Sequence, residues 1–211
     1  MPTNQARDRR ERTIERTRQD IVEAAARVFA RGGFHAATVQ AIAREAGFTA
    51  ASLYTYFESK EAIFAALLED MTRRVLATYD LAVPAGLSFA QRLELLLQRQ
   101  LALVAERLDA LRVSFEAPPP FREGRDARAA FLQRSAAFLA GAGRGQLRIP
   151  AQEAALMLFG LLHGRIMSWL LQEEEPDPRR LAARVVDLFL RGAGRLPGPA
   201  PAAPPHRRRI P

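Results

Sequence analysis

The chain has no cysteine, one lysine and three histidines, and nowhere a sustained alternation of apolar and polar residues. Without cysteine there can be no disulfide, no thiolate nucleophile and no cysteine-ligated zinc. The histidines, His35, His163 and His206, are too scattered to suggest a metal site. No His/Asp/Glu cluster stands at ligand spacing, and no nucleophile has an evident base, so no enzyme activity, metal or cofactor is expected. The acids Glu173 to Glu175 lie beside Pro176 and read as a solvated helix end. The missing period-2 pattern argues against sheet. The N-terminus is polar and charged, with no apolar segment of the signal-peptide kind.

Only one run, AALMLFGLLHGRIMSWLL at 154–171, is apolar enough to suggest a membrane span. His163 and Arg165 sit near its middle, where an arginine costs about 2.5–3.5 kcal/mol on insertion scales. A buried helix in a helical protein fits it better, and the expectation is a cytoplasmic protein with no membrane partner.

What is present points to helices around an ample core: 211 residues, 48% of them apolar. The net charge is +8, of which the stretch Gly192 to Pro211 supplies +4 through Arg195, Arg207, Arg208 and Arg209. The body is therefore only moderately basic. That favours a polyanionic partner without choosing among nucleic acids and membrane surfaces. The arginine excess over lysine fits codon bias.

The predicted organisation is all-α. Residues 1–13 are charged and aperiodic, a flexible arm. A first helix, about 14–31, carries Ile21, Ala25, Val28 and Phe29 as its apolar stripe and ends at Gly32 and Gly33. Thr38 is placed to cap a second helix, Val39 to Ala46; Gly47 turns the chain; Thr49 can cap a third helix, and Ser59 a fourth, about 60–80. Ser88 with Gln91 forms a capping-box pattern opening a long helix to about Glu116. Helices at about 125–142, 150–172 and 178–191 follow. The last residues, 194–211, have the proline-rich basic composition of a disordered tail. The chain thus divides into a small three-helix unit at 14–58, a bridging helix, and a larger helical domain at 84–193.

The segment GFTAASLYTYFESKEAIF, 47–64, carries the chemistry. Leu53 and Phe57, four apart, make a buried seam. Thr49, Ala50, Tyr54, Thr55 and Tyr56 project elsewhere. Their hydroxyls suit phosphates and base edges, and an alanine or threonine methyl suits a thymine methyl. Lys60, at a helix N-terminus, has the placement of a phosphate clamp. On spacing alone a helix-turn-helix is favoured over an ordinary helical corner, and both readings stay open.

The ordered pattern T-V-x-x-I-A-x-x-A-G, Thr38 to Gly47, followed by T-x-x-S-L-Y-x-Y-F-x-S-K-E, Thr49 to Glu61, resembles the DNA-binding domain of the tetracycline-repressor (TetR) family. The likeness spans about Thr17 to Leu68. It implies a homodimeric transcription regulator, usually a repressor, released from a double-stranded DNA operator when a small molecule binds its C-terminal domain. By position, the resemblance makes Thr38 a phosphate contact and puts Thr49, Ala50 and Ala51 where the recognition helix meets base edges and backbone. It makes Tyr54 and Tyr56 contact positions, Thr55 the variable base reader and Lys60 the phosphate-binding lysine. Where members commonly carry lysine or arginine, this chain has Ala50. Arg44 is read as a DNA contact against the alternative of a solvated charge. Thr38 and Thr49 can equally serve as caps, and Tyr54 can pack. The arm around Arg7 to Arg18, net +3, suits either a groove contact or plain solvation.

The helix at 150–172 is apolar nearly all round and must be covered twice. Leu158, Leu162 and Arg165, with Leu181, Val185, Leu188 and Phe189 of the last helix, are the expected dimer face, matching the four-helix bundle that the resemblance implies. Phe115, Glu116, Phe121, Phe138, His163 and Trp169 are the candidate walls of an effector cavity, although aromatic residues at helical spacing are more often core. Its apolar character favours a hydrophobic or amphipathic effector. The competing reading is an architectural DNA-binding protein, a nucleoid factor without effector.

Overall fold

The computed structural model describes residues 4–112, 121–172 and 175–193. All regular structure among them is helical: α1 (Asn4–Ala36), α2 (Val39–Ala46), α3 (Ala50–Leu53), α4 (Lys60–Ala77) with a 3-10 turn at Thr78–Asp80, α5 (Phe89–Ala105), α6 (Leu108–Arg112), α7 (Phe121–Ala142), α8 (Ala151–Gln172) and α9 (Pro178–Ala193).

The helix boundaries follow from local chemistry. The hydroxyls of Thr38, Thr49 and Ser59 accept from the backbone amides of Ala41, Ser52 and Ala62 at the starts of α2, α3 and α4. Each meets one of the donors that the first turn leaves without a partner. Ser88 and Gln91 close a reciprocal capping box on α5. Asp177 Oδ1 accepts from Arg180 N at 2.9 Å to start α9. Gly33 (φ 73°) kinks α1, and Gly47 (φ 77°) ends α2 in the left-handed conformation that glycine tolerates best.

Three elements differ from the sequence expectation. Residues 4–13, expected as a loose arm, are helical and continuous with α1, where Arg12 and Thr13 donate to the carbonyls of Asp8 and Arg9 one turn back. Polar, arginine-rich sequence shows no apolar period, yet arginine is a good helix former and an existing helix propagates easily. The helix expected over 88–116 breaks at Glu106 and Arg107: Arg107 N donates to Val104 O, a tighter turn, before α6 begins. No glycine or proline announces that bend. The helix placed at 125–142 already begins at Phe121. The tail at 194–211 lies outside the described residues.

Two hydrophobic clusters organise these helices. In the first, Ile21, Val28 and Phe29 of α1 meet Ile42, Leu53, Phe57, Ile63 and Phe64. Phe29, Phe34 and Phe64 form a three-ring contact with centroids 5.4–5.6 Å apart. In the second, Leu93, Leu97 and Leu101 of α5 pack with Leu139, Leu158, Leu162, Trp169, Leu181, Val185 and Phe189. Leu68 of α4 touches both.

This second cluster corrects the expected dimer face. Leu158, Leu162, Leu181, Val185 and Phe189 are buried inside the protomer; of the seven residues only Arg165 and Leu188 face outward. The outward apolar side chains are Leu156, Met157, Leu161 and Leu171 of α8, with Leu188 of α9. A helix apolar nearly all round has no polar stripe to tell its inner side from its outer one. By length and composition α8 could cross a membrane. It packs against α6, α7 and α9 here and carries Arg165 at mid-span.

The clusters are joined by ion pairs around Asp70 of α4, only 4% exposed. Its carboxylate receives Arg73 at 2.5 Å and Arg74 at 2.8 Å, with Arg107, at the bend between α5 and α6, 3.9 Å away. Glu23 of α1 receives Arg74 at 2.9 Å and Arg107 at 3.7 Å. Desolvation pushes the Glu23 carboxyl up, but the hydrogen bonds of Arg74 and Gln19 and the charges of Arg74 and Arg107 outweigh it, leaving it below its ordinary 4.5.

Asp70→Ala should therefore destabilise the fold by about 3 kcal/mol, because three arginines lose their buried counter-charge; urea unfolding measures this. Since the folded Glu23 pKa lies below its unfolded value, its contribution is complete above about pH 4.5 and is lost as the pH falls through the lowered value. Glu23→Gln should flatten the acid limb of the stability curve and leave the neutral limb parallel to wild type.

Candidate nucleic-acid interface

The recognition unit is built on α1. From it, Arg27 reaches Glu45 of α2 at 2.8 Å, and Arg31 bonds the same carboxylate. Both hydrogen bonds hold the Glu45 carboxyl below its ordinary range. Ile42, Ala43 and Leu53 are buried against Ile21 and Phe29. Arg18 clamps the far end: its guanidinium lies 4.1 Å over the Phe57 ring and donates to the Tyr56 carbonyl.

Regular α-helix ends at Leu53, but the winding continues. Thr55 N, Tyr56 N and Phe57 N donate to Ser52 O, Leu53 O and Leu53 O. The recognition element is thus a single α-turn followed by tighter turns. It keeps its shape because Leu53 and Phe57 are buried and Arg18 holds the last carbonyl.

Thr38, Arg44, Thr49, Ala51, Tyr54 and Thr55 are all exposed on this unit, together with Gln40 and Ser52. Ala50 and Tyr56 are placed differently from the sequence expectation. Both are half-buried against the first cluster, and the Tyr56 ring leans on Phe48 with centroids 6.3 Å apart. Tyr54 is 52% exposed, so it projects rather than packs. Thr55 donates to Ser52 O at 2.6 Å, leaving its oxygen as an acceptor beside its methyl group. Thr49 donates to Ser52 Oγ at 3.0 Å, which leaves the Ser52 hydroxyl hydrogen free to donate. Among the described residues neither the Tyr54 hydroxyl nor the Arg44 guanidinium has a partner. The face therefore offers hydroxyl donors, one guanidinium, a threonine acceptor and small methyl groups. That set can read base edges and hold phosphates.

Lys60 is engaged inside the protein. Its ammonium donates to Phe34 O at 2.6 Å and Ala37 O at 3.0 Å and sits 4.3 Å from the centre of the Phe34 ring. It caps the chain reversal between α1 and α2, and one of its three donors is left over. Arg18 and Lys60 thus act as fasteners. Arg18 continues the inward stripe of Ile21, Val22 and Ala25 at helical spacing, a sequence signal masked by its arginine-rich neighbours.

Of the candidate effector residues, Phe138, His163 and Trp169 are fully described. Phe115 and Glu116 lie outside the described residues, as does the side chain of Phe121. Phe138 faces Tyr79 (6.1 Å between rings), whereas His163 is exposed and stacks on Phe159 at 5.4 Å. Trp169 is 2% exposed, in the second cluster. No group of His, Asp and Glu able to hold a metal occurs among the described residues.

A short, capped α2, a left-handed glycine turn and a hydroxyl-rich recognition element over residues 49–56 have the form of a helix-turn-helix DNA-binding unit. Comparison with known proteins makes the class specific. Residues 21–67 match the model of the bacterial regulatory proteins of the tetR family. The chain is 32% identical over 180 residues to the uncharacterized HTH-type transcriptional regulator YdgC of Bacillus subtilis, covering 83% of this chain and 92% of that one. The chain belongs to the TetR family and is a transcriptional regulator, not an enzyme. Solved structures share its fold. FadR from Bacillus subtilis in complex with stearoyl-CoA aligns with a TM-score of 0.68 at 21% identity, covering 82% of this chain and 98% of that one. SmeT, the repressor of the Stenotrophomonas maltophilia multidrug efflux pump SmeDEF, aligns with a TM-score of 0.65 at 21% identity, covering 89% and 97%.

Lys60→Ala should lower stability by about 1–3 kcal/mol, since it removes two charge-assisted hydrogen bonds to backbone carbonyls. It should also weaken binding to all DNA sequences by a similar factor. An unchanged unfolding midpoint would show that the Phe34 and Ala37 contacts contribute nothing.

Proposed function

We propose that the chain is a ligand-responsive repressor. As a cytoplasmic homodimer it binds a palindromic operator and is released when a small hydrophobic or amphipathic effector enters the domain at 84–193. The carrying observation is the exposed, rigidly held face of Thr38, Arg44, Thr49, Ala51, Tyr54 and Thr55, which has hydrogen-bonding capacity to spare. Few of these groups are charged, so specificity rests on hydroxyls and methyls, with Ala50 supporting the turn from behind. Phosphate contacts come from Arg44, the capped start of α2 and the remaining Lys60 donor.

Dimerisation is assigned to the outer side of α8 and α9. Leu156, Met157, Leu161 and Leu188 are exposed there, and Gly160 and Gly164 allow a second helix to approach closely. Arg165 and Leu188 line a groove of about 810 Å³ on this side. Two-fold symmetry would set the recognition elements about 34–36 Å apart, one turn of duplex. An effector with a long apolar segment, amphipathic as a whole, is supported by the stearoyl-CoA held by FadR, a protein of the same fold.

Selection of bound fragments from the source genome, followed by titration at several salt concentrations, tests this reading. A palindromic fragment should bind at least about a thousandfold more tightly than random duplex. Equal affinity would favour the architectural alternative. Tyr54→Phe should cost about 1 kcal/mol on the selected fragment, with the unfolding midpoint unchanged. Light scattering should give a dimer at micromolar concentration; a monomer would remove the α8–α9 assignment.

A further inference from the structure

Proteins that bind a duplex draw much of their affinity from cations set against phosphates, and the recognition face supplies few of them. Arg44 is exposed there, Arg18 is occupied by Tyr56 and Phe57, and Lys60 keeps one donor beyond its two backbone bonds. The stretch of α1 that precedes Arg18 holds the charge that the face lacks. Arg7, Arg9, Arg10, Arg12 and Arg16 are all exposed on it. Arg12 bonds only the Asp8 carbonyl, at 3.0 Å. Among the described residues the guanidinium groups of Arg7, Arg9, Arg10 and Arg16 have no partner.

The charges of this stretch are segregated by sign. Arg9, Arg12 and Arg16 stand at i, i+3 and i+7 and so share one face of the helix. Asp8, Glu11 and Glu15 have the same spacing on the neighbouring face. Like charges three or four residues apart on a helix repel, so a helix that is only solvated gains by interleaving the two signs. Here each sign is gathered instead. The acidic face is turned to the protein's own body, where Glu15 lies 3.9 Å from Arg73 of α4. Among the described residues no carboxylate forms an ion pair with Arg9, Arg12 or Arg16, and the basic face is left for an external anion.

We infer that this arginine face is an accessory DNA-binding surface and that it lies on the sugar-phosphate backbone flanking each half-site. Continuity with the recognition element selects that partner. The helix runs through Arg18 without a break, and the bond from Arg18 to the Tyr56 carbonyl sets the start of the stretch beside the end of that element. Gln5 then stands about 20 Å beyond Arg18 at the rise of an α-helix, a length of about six base pairs of duplex. Because the stretch extends a packed helix, its arginines are held in place before DNA arrives, which lowers the ordering cost of binding. Phosphate contacts of this kind add affinity and leave sequence preference to the recognition element. The assignment rests on the operator-binding reading given above.

The test uses the full-length protein and the selected fragment in two lengths, one trimmed to the palindrome and one carrying about six further base pairs of arbitrary sequence on each side. Binding is followed by fluorescence anisotropy at several salt concentrations. The longer duplex should bind at least about tenfold more tightly, with a salt slope steeper by up to about five units, because a dimer sets two copies of the three arginines against phosphates. Arg9→Gln/Arg12→Gln/Arg16→Gln retains good helix formers. It should bind both lengths with the affinity that wild type shows for the trimmed one, its unfolding midpoint unchanged. Arg9→Lys/Arg12→Lys/Arg16→Lys should keep the length effect, since it keeps the charge. Equal affinity of wild type for the two lengths, or a length effect that survives in the glutamine variant, would overturn the surface. So would an equal loss on both lengths, which would place the arginines within the recognition unit's own contacts. Equal binding of palindromic and random duplex would sink the operator reading alone; a length effect on random duplex that needs the arginines would still support this surface.

Discussion

A buried carboxylate on a helix shared by two cores has to be neutralised, and Asp70 is that group. Arg73 and Arg74 come from its own helix, whereas Arg107 comes from the bend between α5 and α6. Glu23 of α1 draws on Arg74 and Arg107 as well. Because each ion has partners on more than one element, α1, α4 and the α5–α6 bend are located relative to one another. Moving any one of them exposes or strands a charge, at a cost of several kcal/mol for a buried ion. The apolar clusters supply most of the stabilisation, but they are non-directional; the ion pairs set orientation.

The recognition unit solves a different problem. An isolated α-turn of four residues is far too short to be stable by itself, since helix nucleation is costly. Here it is held by the Thr49 cap at its start, by Leu53 and Phe57 in the core, and by Arg18 on the Tyr56 carbonyl at its end. Lys60 does the same for the reversal between α1 and α2. Two basic residues that a charge count assigns to DNA are thus invested in backbone carbonyls. The hydroxyl face is left rigid and sparsely charged.

Much of this was legible in the sequence where the governing chemistry is local. Thr38, Thr49, Ser59 and the Ser88–Gln91 pair cap the helices they precede, and Gly47 turns the chain in the left-handed conformation. Ile21, Val28, Phe29, Leu53 and Phe57 face the first core. The misplacements share one cause. Leu158, Leu162 and Val185 were assigned outward because an all-apolar helix carries no periodic mark of its inner side. The break at Arg107 has no glycine or proline; it occurs where the arginine turns to Glu23 and Asp70, residues far away in sequence.

Sequence alone therefore determined the helical class, the caps, the glycine turn and the hydroxyl-rich character of the reading face, because these depend on residues within a turn or two of each other. Tertiary structure decided which basic residues stay free for a partner and which apolar side chains of α8 and α9 face outward. Those outcomes depend on which distant groups compete for the same donor, acceptor or counter-charge. That competition exists only once the helices have been brought together.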